Sequence, residues 1–447
     1  MIKTVKQILA DRDAIDRHKK EKKPGLLKLV GANISLTYTG LQAMGISDNE
    51  MVGTSLDHNT PGGASFKTGA LTDAKSLGDP LQANSQTLPD WDQAFLNDQI
   101  DGVLLVAGDS HETVQEKIKE IHTIFPADPN HSSVTVVTTI TGDVRPGAES
   151  GHEHFGFLDG VSNPLIKGFD PVVPGPAPID GRNIITGYAS KEVPDWTGDG
   201  SFLVFRYLFQ KVPEFNTFLQ QNALKADPIT SQALAPADGA DLLGARLVGR
   251  APIEIAPFHD DPALGNDTRN RNGFDFTNEF RDNNKCPWAA HIRRTNPRSD
   301  SLRQPGSSID NRRIMRRGIA FGPELTPAEQ ASNSTQEGRG LLFACYQADI
   351  STAFQFIQKL WANNKNFPFI GADISPGFTP GLDPLIGQNN TDPNARVTTG
   401  YDPLTANDPD QKPLGPMPTF IVPRGGGYFF TPSIKLLREF GSHVTSS

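Results

Sequence analysis

The sequence predicts an α+β fold of two sandwiches, each a split β-α-β unit in which an antiparallel sheet carries peripheral helices. Three observations carry this expectation. Strand-then-helix patterns recur at 201–224 and 340–363, as the two halves of one such unit would. The first 140 residues run α-β-(α)-β-α-β, most of a second unit. The 42 glycines and 36 prolines among 447 residues call for long ordered loops between elements rather than a minimal helical bundle.

In chain order, Ile2, Val5, Ile8 and Leu9 share one helical face, so the chain opens inside a helix. Residues 25–38 read as a strand, 39–44 as a short helix and 101–107 as a buried strand. Ser110 and Glu112, followed by Val114, Ile118, Ile121 and Ile124, predict a capped amphipathic helix, and the β-branched run 133–140 predicts a strand. Next come a strand at 201–208, a helix at 212–224 with Pro213 near its start, and a second helix at 240–247. The stretch 251–332, rich in Asp, Asn, Arg, Gly and Pro, is too long for an ordinary connection and reads as a functional loop region. Residues 340–347 form a strand, and Ser351 caps a helix to about Asn363 with Ala353, Phe354, Phe356, Ile357 and Leu360 inward. A last strand pair is expected at 419–422 and 427–430. The domain boundary falls between 1–147 and 148–447.

With 36% hydrophobic and 21% charged residues the chain can bury a sizeable core, and no apolar run is long enough to span a bilayer. A net charge of -9 disfavours nucleic acid and anionic membrane as partners, and Arg17-His18-Lys19-Lys20 reads as solvated surface. Cys286 and Cys345 alone exclude a disulfide framework and read as buried free thiols. No signal peptide follows Met1, yet glycosylation sequons start at Asn33, Asn130, Asn266, Asn333 and Asn389, which leaves the compartment open.

The segment Gly151-His152-Glu153-His154-Phe155-Gly156-Phe157-Leu158-Asp159-Gly160 sets a carboxylate between glycines beside apolar side chains. An Asp so placed is poised for proton transfer, although a helix cap or an Asp-Gly turn fits the local chemistry as well. His152, Glu153 and His154 could start a metal site, but two imidazoles and a carboxylate with no further histidine nearby make a poor ligand set. His291, among apolar residues in Cys286-Pro287-Trp288-Ala289-Ala290-His291, suits a haem iron if a carboxylate takes its other nitrogen, and Asp383 in Gly381-Leu382-Asp383-Pro384 is the candidate. Alone, His291 reads rather as a core histidine and Asp383 rather as a turn residue. Arg316, between Ile314-Met315 and Gly318-Ile319, is either half of a surface ion pair or a donor to charge developing on oxygen. Trp361 follows the inward stripe Phe354, Ile357 and Leu360; it is core or interface unless its indole is exposed, which a redox role needs.

Taken together, HEHFGFLDG, CPWAAHIRRTNPR, IMRRGIAFGPE, RGLLFACYQ, FIQKLWANNKNFP and GLDPLIGQNN resemble, in order and spacing, the secreted fungal dye-decolourising peroxidases, over about 25–430. The resemblance implies two ferredoxin-like domains with one haem b held mainly by the second. It implies Asp159 as distal acid-base, Arg316 as distal arginine, Leu341 and Phe343 as distal pocket wall, His291 as axial ligand, Asp383 as its hydrogen-bond partner and Trp361 as the surface tryptophan that oxidises bulky dyes. Asp159 would take the first proton of hydrogen peroxide and return it to the leaving oxygen while Arg316 offsets charge. A base with a reference pKa of about 3.9 predicts an acidic optimum.

This chain departs from the family in three places. The first strand of the N-terminal unit precedes the helix in relatives and is missing before Ile2, which would leave its neighbours unpaired. Arg250 runs directly into Ala251-Pro252-Ile253 where relatives have a few more residues, and Phe321 stands where some have a tyrosine. The expectation is a secreted glycoprotein, monomeric or weakly dimeric, that oxidises dyes, phenolics and other aromatics with hydrogen peroxide. Two alternatives are a haem-binding chain of little activity and peroxide chemistry reserved for one small molecule.

Overall fold

The computed structural model describes residues 3–51, 65–96, 100–126, 134–175, 177–187, 195–227, 231–249, 267, 270, 272–277, 283, 286–303, 308–368, 378–390 and 392–443. Two antiparallel sets of strands make its sheet. β1 (Val30–Leu36) and β2 (Gly102–Gly108) pair from Val30↔Gly108 to Leu36↔Gly102. The larger set contains β3 (Ser201–Gln210), β4 (Met315–Arg316), β5 (Ile319–Phe321), β6 (Gly340–Gln347) and β7 (Ile421–Thr431). Its spatial order is β7-β3-β6, with β4 and β5 both on β6. Counted along the chain this is fourth, first, third, second, the order that two crossing β-α-β halves generate. The sets meet at one pair, Leu36↔Phe430.

Directly paired residues share a sheet face. One row therefore crosses four strands on a single face: Tyr428↔Val204, Val204↔Cys345 and Cys345↔Arg316. That face is dry. Phe202, Val204, Cys345, Tyr428 and Phe430 pack against Tyr38 and Leu41 of α1 (Tyr38–Ala43), Phe66 and Ala70 of α2 (Ser65–Asp73), and Phe354. A second core joins α3 (Val212–Gln221) to α4 (Pro236–Val248) through Phe215, Phe218, Leu219, Leu242, Leu243 and Phe420. The helix expected at 240–247 starts four residues earlier, where Pro236 suits the first turn because its missing N–H is not needed there. Ser110 caps the expected amphipathic helix, His111–Ile124, by accepting from Thr113 N.

Three expectations are corrected. Residues 134–140 form no strand; Val134, Val136 and Val137 are 46%, 59% and 44% exposed. β-branched side chains favour a ladder only when another strand lies alongside, and none does among the described residues. The strand pair expected at 419–422 and 427–430 is the single strand β7. Its glycines are there for clearance: a Cβ at Gly425 would lie 2.2 Å from the Phe95 ring, which instead covers the strand and stacks on Phe205.

The third correction concerns the helix after Ser351. A short α-helical stretch at Phe354–Phe356 continues as a π-helix, Ile357–Ala362. Hydrogen bonding from i to i+5 takes an extra residue into the turn, so the inward position arrives one residue late. Leu360, expected inward, is 49% exposed, and Trp361 is only 5% exposed.

Candidate active site

Glu153 shapes the loop that carries Asp159. Its carboxylate accepts from the N–H of Phe155 at 2.8 Å, from that of Phe157 at 2.9 Å and from Gln210 Nε2, while its own N–H donates to Phe157 O at 2.9 Å. Burial raises the Glu153 carboxyl above its ordinary value against the pull of these donors. Gly156 and Gly160, at φ +96° and +80°, make turns that L side chains rarely adopt. Asp159 is then fixed by its N–H to Gly151 O at 3.0 Å and by Gly160 N–H, which donates to its Oδ1 at 2.6 Å.

Arg316 donates through Nη1 to the same Asp159 oxygen. The side chains of this pair are 26% and 29% exposed, open enough for a small molecule to reach. β4 sets Arg316 opposite Cys345, and Asn163 holds its backbone: Arg316 N–H donates to Asn163 Oδ1 at 2.9 Å and Asn163 Nδ2 donates to Arg316 O at 3.3 Å. Leu341 and Phe343 are half-buried and, alternating with Ala344 along β6, face the same side as Cys345 and Arg316.

His291 opens the short helix His291–Thr295 and shares its Nδ1 proton with Asp383 Oδ2 at 2.9 Å. Asp383 is fully buried, and its other oxygen accepts from Leu385 N at 2.9 Å and Ile386 N at 3.0 Å. Burial pushes this carboxyl up, but the imidazole beside it and these N–H donors win and hold it below its usual range. It stays an ionised acceptor. The His291 ring is 27% exposed and its Nε2 makes no hydrogen bond to the described residues, the state in which an imidazole can ligate iron. The two halves of the site share one core. Phe155 and Phe157 from the Asp159 loop, Ile292 beside His291, and Leu385 and Ile386 beside Asp383 all belong to the core that α3 and α4 share with Phe420.

The expected partners His291 and Asp383 are thus in direct contact, and Asp159 and Arg316, expected in separate roles, also meet. Trp361 is corrected: it is buried, stacked on Phe367 at 5.2 Å and edge-on to Phe356 at 5.3 Å, and so is not a surface residue. It neighbours the site through Ala362, whose carbonyl accepts from Asp383 N at 3.0 Å. His154 turns its Nε2 to Phe321 O at 2.8 Å and Glu153 turns to backbone, so neither faces a common ligand. Phe321 packs on Tyr207 at 4.8 Å. The short segment after Arg250 lies outside the described residues. Asn163 and Gln210 were not singled out in the sequence; an Asn before a Pro reads as a turn, and its partner is 153 residues away.

A family model described as the DyP dimeric alpha+beta barrel domain matches residues 1–146, and one described as Dyp-type peroxidase, C-terminal, matches 245–367. A dye-decolorizing peroxidase of Auricularia auricula-judae is 41% identical over 425 residues, covering 92% of this chain and 75% of its own. A dye-decolorizing peroxidase of Mycetinis scorodonius is 40% identical over 432 residues, covering 92% and 76%. The solved structure of an ancestral D-type dye decolorizing peroxidase superposes with a TM-score of 0.85 at 47% identity, covering 98% of this chain and 90% of that one.

Proposed function

We propose, for a chain that belongs to the dye-decolourising (DyP-type) peroxidase family, that Asp159 is the acid-base and His291 the axial ligand of its haem. The chain is a haem peroxidase of the α+β barrel type. When bound, haem supplies a ferric iron that takes hydrogen peroxide and provides the electrons that cleave its O–O bond.

The observation that carries the assignment is the pair of buried-edge couples: a carboxylate with a guanidinium on one side, an imidazole with an ionised carboxylate on the other. Asp383 accepts the hydrogen bond from Nδ1–H, which leaves the Nε2 lone pair for iron and strengthens it as a donor. Arg313 suits a haem propionate: it is 7% exposed, its guanidinium donates only to Ser162 O at 3.2 Å among the described residues, and burial lowers its pKa to about 10. Asp159 takes a proton from entering peroxide and returns it to the departing oxygen. Arg316 orients that carboxylate and meets the negative charge that grows on the departing oxygen. Leu341 and Phe343 keep the pocket dry. One-electron oxidation of dyes, phenolics and other aromatics completes the cycle.

The division at 147/148 into two ferredoxin-like domains, secretion, glycosylation and a monomer or weak dimer belong to the same proposal. Asn333 is exposed at the end of a short helix, Pro327–Ser332, and suits a glycan; Asn33 lies within β1 with its side chain toward Tyr346 and does not.

The test is the Soret spectrum of the haem-loaded chain before and after one equivalent of hydrogen peroxide. Rapid conversion in the parent with a response slowed by orders of magnitude in Asp159→Asn supports the assignment. Equal rates remove Asp159 from it, and no haem band in His291→Ala alone is expected.

A further inference from the structure

Tyr428, in the middle of β7, is 2% exposed, and its hydroxyl donates to Asp73 Oδ2 at 2.6 Å. Asp73 ends α2, and it also accepts from Gln355 Nε2 at 2.6 Å, from Lys359 Nζ at 2.5 Å and from Ser76 Oγ. Burial pushes the Asp73 carboxyl up, but these partners outweigh it and hold the group below its ordinary value. Burial and the adjacent carboxylate hold the Tyr428 phenol well above its own. At rest the proton therefore sits on the phenol, within a short hydrogen bond of an ionised base.

That pairing matters because a phenol that loses an electron becomes a strong acid. Oxidation in a dry core is prohibitive when the proton has nowhere to go, since a buried unpaired charge is costly. Asp73 is in place to receive it. Of the other described tyrosines, Tyr38 also meets a carboxylate, Asp48, but at 3.2 Å and with Lys67 5.1 Å over its ring, a cation that opposes loss of an electron. Tyr346 is bonded to Asn33 instead of a carboxylate.

The position is suitable too. Tyr428 and Arg316 occupy one cross-strand row, three strand spacings apart, about 14 Å. Phe343 and Phe354, with ring centroids 6.2 Å apart, lead from the Arg316 side of the sheet toward Tyr428, whose ring is 6.3 Å from Phe354.

We propose that Tyr428 is an internal one-electron donor to the peroxide-oxidised haem, with Asp73 as its proton acceptor. The electron leaves the phenol for the haem, reducing it by one of its two oxidising equivalents. The O–H proton passes to the carboxylate. The products are a neutral tyrosyl radical and a protonated Asp73, and an external aromatic reductant restores both by giving back one electron while Asp73 returns the proton. The inference rests on the haem-peroxidase reading above, and it identifies a buried store for an oxidising equivalent when no substrate is present.

The experiment is freeze-quench electron paramagnetic resonance of the haem-loaded chain mixed with one equivalent of hydrogen peroxide without reductant. A tyrosyl signal is expected that narrows when the chain is made with ring-deuterated tyrosine, is lost in Tyr428→Phe and persists in Tyr38→Phe. In Asp73→Asn it should fall at least tenfold while the Soret band still responds. A signal that survives Tyr428→Phe, or a Soret response with no tyrosine-derived signal, overturns the inference and leaves the peroxidase reading intact. A Soret band indifferent to peroxide overturns both. Deuterium narrowing in the unsubstituted chain decides between tyrosine and tryptophan even if a variant folds poorly.

Discussion

Asn163 and Arg316 form a reciprocal clamp, the Asn side chain accepting from the Arg backbone N–H at 2.9 Å and donating to its carbonyl at 3.3 Å. β4 is only two residues long, so this side chain does for Arg316 what a longer ladder would otherwise do. Removing both bonds in Asn163→Ala is expected to slow the reaction with peroxide about tenfold, since two net hydrogen bonds are together worth about 1–3 kcal/mol. Asn163→Asp keeps the acceptor and should recover part of the loss. Stopped-flow rates for the three proteins check this, and identical rates would show the clamp to be dispensable.

Asp159→Asn is expected to leave the haem spectrum unchanged and lower the rate constant with peroxide by about a hundred- to ten-thousand-fold, the usual contribution of a positioned general base. The amide still accepts from Gly160 N–H, so the loop is retained. A pH profile accompanies the measurement.

Asp383→Asn keeps an oxygen for the N–H groups of Leu385 and Ile386 but takes the negative charge from beside His291. Haem affinity should fall about 10–100-fold, as loss of the group that orients a ligating histidine commonly causes. Haem transfer to a competing apoprotein measures it.

Glu329 and Arg339 form a fully buried bidentate pair, with Nη1–Oε1 at 2.8 Å and Nη2–Oε2 at 2.6 Å. The guanidinium first, then the N–H groups of Gln336, Glu337 and Thr326, hold the Glu329 carboxyl far below its ordinary value. A depressed carboxyl gives stability that is whole above its unfolded pKa of about 4.3 and fades as pH falls toward the folded value. Glu329→Gln should therefore cost about 3–5 kcal/mol at pH 7, because it leaves a buried cation, and the deficit should shrink below pH 4. Urea unfolding at pH 7 and pH 3 tests both the size and the direction.

Trp361→Ala should destabilise the chain by about 3–5 kcal/mol and Leu360→Ala by less than about 0.5 kcal/mol. An uninterrupted α-helix, with Leu360 inward, predicts a much larger cost for Leu360. Urea midpoints of the two variants separate the cases.

That contrast marks where the sequence is legible. Strands β3 and β6 were readable because both are continuous apolar runs, and the loop of Asp159 because glycines flank a carboxylate among aromatics. The pairing of His291 with Asp383 is legible as chemistry, since a ligating imidazole needs an acceptor, whereas the contact of Arg316 with Asp159 is seen only in the fold. What escaped depends on neighbours. Residues 134–140 have the composition of a strand but no adjacent strand among the described residues, and Gly425 and Gly427 look like a break until Phe95 is seen lying on the first of them. The π-helical turn shifts Trp361 inward with no local signal of its own. Asn163 is a turn residue until the chain brings Arg316 to it.

β7 lies between β1 and β3, so the strand made latest during synthesis is the one that joins the earlier two. Until residues 421–431 are made, β3 presents an open edge along its whole length, β1 lacks its contact at Leu36, and the apolar face around Phe202 and Val204 lacks Tyr428 and Phe430. Open strand edges recruit other strands. The edge of β3 is therefore protected only by the last strand of the chain, and a nascent chain that stops short of β7 keeps that edge and the apolar face beside it exposed.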